Sequence, residues 1–227
     1  MVNYDDIPLF PLHVVLFPDM PLPLHIFEPR YREMILRCRE EKSQLGITLI
    51  HSGGETGAEA VPRQVGTLAR ITQYEELPDG RMNVLVFGES RFRIMRTFHD
   101  KPYLSAAIEM ISEQESDAEQ LRDDFASVAA LFRTYLEALF AMTGRKLSTL
   151  QLPQEPEYLS YAVASVLQVP AHEKQALLEM TDTSRRLQRE IEILSAEIEA
   201  QDTLQDVVGG LSLPVDTQEL GKLASLN

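Results

Sequence analysis

The sequence predicts an α+β fold in which a strand-rich front part is followed by a bundle of helices. In residues 1–111, apolar residues come in short runs separated by Pro, Gly and Asp, as in a compact antiparallel sheet or a partly closed barrel. From residue 112 onward, apolar residues recur at spacings of three and four, which indicates amphipathic helices. We therefore expect a β-rich unit at residues 1–111, a helical bundle at 112–205 and a partly disordered tail at 206–227.

The front part is expected to contain short strands and one clear hairpin. Leu22, Leu24 and Ile26 alternate with other residues at period two, as in a half-buried strand. The sequence LPDG at residues 77–80 favours a tight turn between two strands, and GES at residues 88–90 is expected to form another. The predicted strands cover residues 7–12, 14–17, 22–26, 45–50, 65–74, 82–87, 91–98 and 103–111.

The second part is expected to consist of helices. A long apolar stripe predicts a helix over residues 121–139, with Gly144 as its stop. Two shorter helices are predicted at residues 159–167 and 172–180. Asp182 or Thr183 is expected to cap a last helix. That helix carries a short heptad seam, which we expect to pack on the preceding helices: Leu187, Ile191, Leu194 and Ile198.

The composition is that of a soluble globular protein. The chain has 227 residues, of which 44% are hydrophobic and 25% are charged. Its single cysteine, Cys38, excludes an internal disulfide and favours the reducing cytoplasm. No uncharged apolar run is long enough to cross a bilayer, so we expect no membrane partner.

The charge is uneven and argues against nucleic acid as a partner. Residues 1–111 hold 12 basic and 15 acidic side chains, a net charge of −3, whereas residues 112–227 hold 9 and 20, a net charge of −11. Binding that is dominated by phosphate contacts needs a positive surface. A local arginine patch in the front part stays open: Arg91 and Arg93 share one face of a predicted strand, which we interpret as a solvated face or as a small positive patch for acidic partners.

The stretch PLPLHIFEPRYREM, residues 21–34, poses the question of catalysis because it places His25 three residues before Glu28. Pro29 suits the first position of a helix. A buried helix face follows at Tyr31, Met34, Ile35 and Cys38. The stretch is thus interpreted as a strand, a sharp turn and an amphipathic helix, with His25 and Glu28 on either side of the junction rather than together on one helix face.

Few patterns in the chain point to chemistry. The other histidines show no ligand spacing, Cys38 lies on an apolar helix face, and neither GxxxxGK[ST] nor GxSxG occurs. We therefore predict no catalytic residue, no metal and no cofactor. The alternative from another class is a small hydrolase that uses His25 as a base and Glu28 to orient it.

Two segments resemble a known family. IPLFPLHVVLFPDMPLPLHIFEPRYREMI, followed by VGTLARITQYEELPDGRMNVLVFGESRFRI, resembles the N-terminal substrate-recognition domain of Lon proteases. EKQALLEMTDTSRRLQRE, residues 173–190, is similar to the helical extension of that domain. The resemblance implies a PUA-like pseudo-barrel followed by a helical bundle. It also implies the recognition part of these enzymes without their ATPase and peptidase modules.

The resemblance implies a non-catalytic module that binds unfolded or apolar polypeptide segments and is linked to protein quality control or proteolysis. A separate protease or chaperone is the expected partner, and the oligomeric state is left open. PUA-like folds also suggest an RNA-binding alternative by analogy alone. The residues proposed to line the recognition surface or to hold the junction are Met20, Leu22, Glu28, Arg30 and Arg91.

Overall fold

The structure is a computed structural model that describes residues 4–54, 60–142 and 151–210; for residue 142 and residues 202–210 it describes the backbone alone. The strands are β1 (Ile7–Leu12), β2 (Pro21–Ile26), β3 (Leu45–Ser52), β4 (Val61–Glu76), β5 (Met82–Phe98) and β6 (Ser105–Met110). The helices are α1 (Pro29–Glu41), α2 (Ala118–Met142), α3 (Pro156–Val166), α4 (Ala171–Glu179) and α5 (Thr183–Gly210). This arrangement confirms the predicted α+β class.

Five strands close into a barrel. β3 pairs antiparallel with β4, β4 with β5, and β6 pairs antiparallel with both β5 and β1. The ring is completed by β1 and β3, which run parallel. Of the two expected forms, the closed ring matches the barrel, and the parallel pair is a departure from antiparallel pairing. Its physical reason is the long connection from β1 to β3, which contains β2 and α1 and gives the chain room to cross over.

β5 is one strand of 17 residues, where two strands and a turn at residues 88–90 were predicted. The pairing with β4 shifts between Leu68↔Ser90 and Ala69↔Gly88, so Glu89 is an extra residue in a β-bulge. A bulge bends and twists its strand without ending it. The first half of β5 therefore pairs with β2, and the second half pairs with β6.

Gly88 lies where another part of the chain packs directly on β5. Residues 14–17, which were predicted as a strand, are irregular and lead into a turn that lies on Gly88. The Asp19 amide donates to the Gly88 carbonyl (3.0 Å), and the Gly88 amide donates to the Met20 carbonyl (2.9 Å). A Cβ atom at Gly88 would overlap the Phe17 carbonyl oxygen. Glycine is required here because two backbones meet without space for a side chain.

α1 has the form that its sequence predicts. It begins at Pro29, and its buried residues are Tyr31, Met34, Ile35 and Cys38. These side chains join a hydrophobic cluster with β2, β3 and the first half of β5. A second cluster fills the barrel around Leu9, Leu68 and Phe92.

The helices form a third hydrophobic cluster, which Phe17 and Val65 of the front part extend. Leu187 and Leu194 of the heptad seam are fully buried in this cluster, and α5 packs against α2 and α3. This packing confirms that the seam faces the preceding helices. The Asp182 carboxylate accepts a hydrogen bond from the Arg185 amide (3.3 Å), which confirms the predicted cap.

Some predictions lie outside the described residues. Gly144 as a helix stop is one of them, and so is the tail beyond Gly210, although the backbone of residues 206–210 is helical. The division into units at residues 1–111 and 112–205 stays a prediction. Within the described ranges, no helix is long and apolar enough to cross a membrane.

Candidate functional site

The ribbon formed by β2, the first half of β5 and the facing part of β4 presents apolar side chains of β2 and β5 toward solvent, beside the polar Gln73 and Glu75 of β4. β2 and β5 are in register at Pro21↔Phe87, Pro23↔Leu85 and His25↔Asn83. Residues opposite one another in a sheet share a face, and their chain neighbours point to the other face. Accordingly, Leu22, Leu24, Val84 and Val86 pack toward α1. We call the outward set the ribbon face, and it consists of Pro21, Pro23, His25, Phe27, Asn83, Leu85 and Phe87.

The ribbon face is partly apolar and carries one strongly exposed ring. Phe27, just after β2, is 51% exposed, and its ring centroid lies 6.4 Å from that of His25. A groove of about 470 Å³ runs along the ribbon, where Pro23 and Leu85 lie beside Gln73. A polar rim borders this groove: Asn83 donates to Glu75 (2.9 Å) and contacts His25 Nδ1 (2.9 Å). The ribbon face therefore offers apolar contacts with polar groups at their edge.

A second concave region, the cleft, lies between the bulge of β5 and the start of α3. Its volume is about 390 Å³, and its walls include Pro18, Asp19, Phe87, Glu157 and Tyr158. Phe87 belongs to both the ribbon face and the cleft, so the two form one continuous surface. The Tyr158 ring is 47% exposed at this place. A polypeptide that lies along the ribbon would therefore reach the cleft.

β2 is the edge strand of the described sheet, but its composition does not favour the addition of another strand. Pro21 and Pro23 supply two of the six residues of β2 and have no amide hydrogen. Proline is tolerated in sheets where the missing donor faces solvent, and there it blocks pairing with a further strand. Side-chain contacts on the ribbon face therefore fit a bound segment better than backbone pairing along β2.

A buried polar cluster joins the barrel to the helices below the cleft. The Glu113 carboxylate lies at its centre, because Oε1 accepts from Arg91 Nη2 (2.6 Å), Arg186 Nη1 (3.1 Å) and the Tyr161 hydroxyl (2.8 Å). Its Oε2 accepts from the Thr183 hydroxyl (3.0 Å). The cluster thus connects Glu113, which lies between β6 and α2, with β5, α3 and the first turn of α5.

The two arginines of the cluster are almost fully removed from solvent. Arg186 is 0% and Arg91 3% exposed. Arg91 Nη1 donates to the carbonyl oxygens of Leu178 (2.8 Å) and Met180, and Arg186 Nη1 donates to the same Met180 oxygen (2.7 Å). The Arg186 guanidinium also lies 4.5 Å from the centroid of the Tyr161 ring. These contacts replace the hydration that both charges lose on burial.

Burial shifts the pKa values of two acidic groups in and beside the cluster. The Ser160 hydroxyl accepts from Arg186 Nε (2.6 Å) and donates to Glu190 Oε1 (2.9 Å). Loss of water raises the pKa of Glu190 well above its ordinary value, although this hydrogen bond and the charge of Arg186 oppose the shift. Burial also raises the pKa of Tyr161, so its hydroxyl stays a hydrogen-bond donor to Glu113.

Comparison with known proteins identifies the family. The sequence model of the ATP-dependent protease La (LON) substrate-binding domain matches residues 6–196. The chain belongs to this family. It is 30% identical over 90% of its length to the Lon protease of Xanthomonas oryzae pv. oryzae, and 29% identical over 86% of its length to that of Escherichia coli K12. It spans about a quarter of these relatives, 24% and 25% of their respective lengths.

Two solved structures are similar to this LON substrate-binding domain. One is a Lon N-terminal domain protein from Xanthomonas campestris, with a TM-score of 0.60 and 25% identity, over 81% of this chain and 95% of that one. The other is the N-terminal domain of Mycobacterium avium complex Lon protease, with a TM-score of 0.61 and 20% identity, over 84% and 98% of the two chains. The second likeness shows the fold alone. Together they confirm the fold implied by the resemblance in sequence.

The residues predicted for the site of this LON domain are not brought together. Met20 and Leu22 are partly buried against the cluster beneath α1, so the outward positions of β2 are those of its prolines and His25. Glu28 and Arg30 pair with each other at the strand-to-helix junction (3.0 Å). These contacts fit a role in holding the junction, and recognition by these residues stays a prediction.

Arg91 corrects one interpretation. It was expected on a solvated face or in a positive patch, yet its side chain is buried in the polar cluster, whereas Arg93 is exposed. The physical reason is the bulge at Glu89, which re-aims the following residues, and the helical part, which covers this side of β5. Arg91 therefore does not contribute to a positive surface patch on β5.

The arrangement of His25 and Glu28 contradicts the hydrolase alternative. The two ring nitrogens of His25 face Asn83 (2.9 Å) and Arg81 (3.3 Å), whereas Glu28 bonds Arg30. No hydrogen bond or ion pair joins His25 to Glu28 in the described part of the chain, so the histidine lacks the orienting carboxylate that this mechanism requires. Across the same ranges, no three His, Cys, Asp or Glu side chains are grouped as they would be around a metal ion.

Proposed function

We propose that this LON substrate-binding domain binds exposed apolar segments of other polypeptides on the ribbon face and in the cleft, and that it catalyses no reaction itself. The observation that carries the proposal is the outward position of five apolar side chains on the ribbon: Pro21, Pro23, Phe27, Leu85 and Phe87. Contiguous exposed apolar surface on a soluble protein is typical of an interaction site.

The ribbon favours extended segments as ligands. Along an extended chain, alternate side chains point to one side, so every second residue of a bound segment would reach the apolar groove between β2 and β5. The polar rim of His25, Asn83 and Glu75 would accept backbone or polar groups of the same segment. The affinity for such a segment would come mainly from the burial of its apolar side chains, with a small contribution from each of them.

The family suggests the context of this binding. The relatives are Lon proteases, so we infer a role in protein quality control or proteolysis, in which a separate protease or chaperone acts on the bound polypeptide. The cytoplasm is the compartment we infer, because the unpaired, buried Cys38 needs no oxidising environment. The charge balance gives RNA no comparable support.

Replacing Leu85 with glutamate is expected to weaken polypeptide binding roughly tenfold, which corresponds to about 1.4 kcal/mol. The substitution places a charge in the centre of the apolar groove. Binding can be measured by fluorescence anisotropy with a fluorescein-labelled synthetic peptide in which leucine and phenylalanine alternate with serine. The Phe27→Ala variant is also expected to bind the peptide more weakly. It should still fold, because the Phe27 side chain is half exposed.

Met95→Glu is the matched control for this experiment. Met95 is an exposed apolar residue of the same strand, 62% exposed, and it lies outside the ribbon face. The Met95→Glu variant should bind the peptide with the affinity of the wild type. Equal affinities of Leu85→Glu, Phe27→Ala and Met95→Glu would refute the assignment of this surface, and no binding of the peptide to the wild type would refute the function.

A further inference from the structure

The cleft holds carboxylates that the protein itself does not neutralise. Asp19 makes no side-chain hydrogen bond or ion pair with any residue in the described ranges. The one side-chain partner of Glu157 there is the Tyr161 hydroxyl (3.2 Å), whose single proton Glu157 shares with the nearer Glu113 (2.8 Å). Of the two arginines that line the cleft, Arg70 pairs with Glu89 (2.8 Å), and Arg91 is buried and shares the Glu113 carboxylate with Arg186. Three acidic side chains line the same cleft: Asp19, Glu89 and Glu157. The cleft therefore has an excess of negative charge.

The position of Asp19 is fixed by the fold. Its backbone has φ of 60°, a left-handed conformation that residues other than glycine seldom adopt. The turn is held in place by hydrogen bonds between Asp19, Met20 and Gly88 of the β5 strand. Loss of surrounding water raises the pKa of Asp19. A carboxylate is thus held at the cleft in a conformation that costs free energy.

Aromatic surface lies beside these carboxylates. The Tyr158 ring is half exposed, and Phe87 also lines the cleft, with the Arg70 guanidinium 5.2 Å from the centroid of its ring. The binding of an ammonium or guanidinium group is stabilised both by a nearby carboxylate and by the face of an aromatic ring. The stem of a lysine or arginine is apolar and suits such walls.

We propose that the cleft binds a lysine or arginine side chain of the polypeptide whose apolar residues lie on the ribbon face. This inference rests on the proposed function and narrows its ligands to apolar segments with a neighbouring basic residue. Phe87 connects the two parts of the surface, so one extended segment can occupy both. The opposite charge of Asp19 and Glu157 selects the occupant, and acidic segments would be repelled.

The test uses three labelled peptides with the same alternation of leucine and serine and with lysine, norleucine or glutamate at the centre. We expect the wild type to bind the lysine peptide roughly fivefold tighter than the norleucine peptide. In the variant Asp19→Asn/Glu157→Gln this difference should vanish, while the affinity for the norleucine peptide stays the same. Asparagine tolerates the left-handed conformation of residue 19, so the turn should persist.

Glu192→Gln is the control, because Glu192 is an exposed acid of α5 whose side chain is 66% accessible. It should retain the preference for lysine. Equal binding of the lysine and norleucine peptides by the wild type would overturn the inference and leave the proposed function intact. A preference that survives in the double variant would also overturn it, since general attraction to an acidic protein would then explain the result. If none of the peptides binds, both proposals fail.

Discussion

Replacing Arg186 with alanine is expected to lower the free energy of unfolding by about 3–5 kcal/mol, as is typical when one partner of a buried ion pair is removed. Arg186 is fully buried and bonds Glu113, Ser160, Thr183 and the Met180 carbonyl. Its loss leaves acceptors without a donor and opens a cavity between α3 and α5. Urea unfolding followed by circular dichroism measures the change.

Arg185→Ala is the control, because Arg185 is the adjacent residue of the same helix but is exposed. Its free energy of unfolding should stay within about 0.5 kcal/mol of the wild type. A third variant, Arg186→Met, keeps most of the side-chain volume without the charge, so it separates the cavity from the lost hydrogen bonds. If Arg186→Ala is no less stable than Arg185→Ala, the cluster does not hold the helices on the barrel.

Replacing Gly88 with alanine is expected to lower the free energy of unfolding by about 1–3 kcal/mol, the usual range for overpacking. The added methyl group would overlap the Phe17 carbonyl oxygen, which belongs to a backbone and cannot turn aside. The turn that carries Asp19 must then move off β5. We therefore also expect weaker binding of the lysine-containing peptide.

Ser90→Ala serves as the control for Gly88→Ala, since Ser90 lies two residues farther along β5 and pairs with Leu68. The Ser90→Ala variant should unfold like the wild type. Wild-type stability of Gly88→Ala, measured in the same urea titration, would show that the turn does not rest on β5 as described.

Local patterns in the sequence account for much of the fold. The period-two alternation at Leu22, Leu24 and Ile26 predicted β2, and the spacing of Tyr31, Met34, Ile35 and Cys38 predicted the buried face of α1. Both follow from geometry within one element. The parallel pairing of β1 with β3 and the closure of the barrel by β6 depend on contacts between distant segments, which no local pattern contains.

The candidate surface was predictable only in part. The alternation that buries Leu22 and Leu24 also places Pro21, Pro23, His25 and Phe27 on the opposite side, so the sequence contained a signal for the outward face. That signal was missed because the apolar residues of the strand were taken as the binding surface. Leu85 became a candidate only through its register with Pro23.

The buried polar cluster had no comparable signal. Arg186 and Glu190 stand four residues apart on a helix, a spacing that is typical of exposed pairs. Glu113 lies in the segment SEQESDAE, residues 112–119, which contains four acidic residues and no large apolar residue. Their burial follows from how α3 and α5 meet β5, so it depends on tertiary packing and not on the residue types themselves.

The most direct test of the account is to locate the bound polypeptide on the surface. A peptide in which leucine alternates with serine, with one photoreactive phenylalanine analogue, can be cross-linked to the protein and the adducts mapped by mass spectrometry. The account predicts adducts on β2 and Phe27, on the first half of β5, and on the start of α3 around Tyr158. Adducts concentrated instead around Val61 and Met95, which line a different groove, would contradict it.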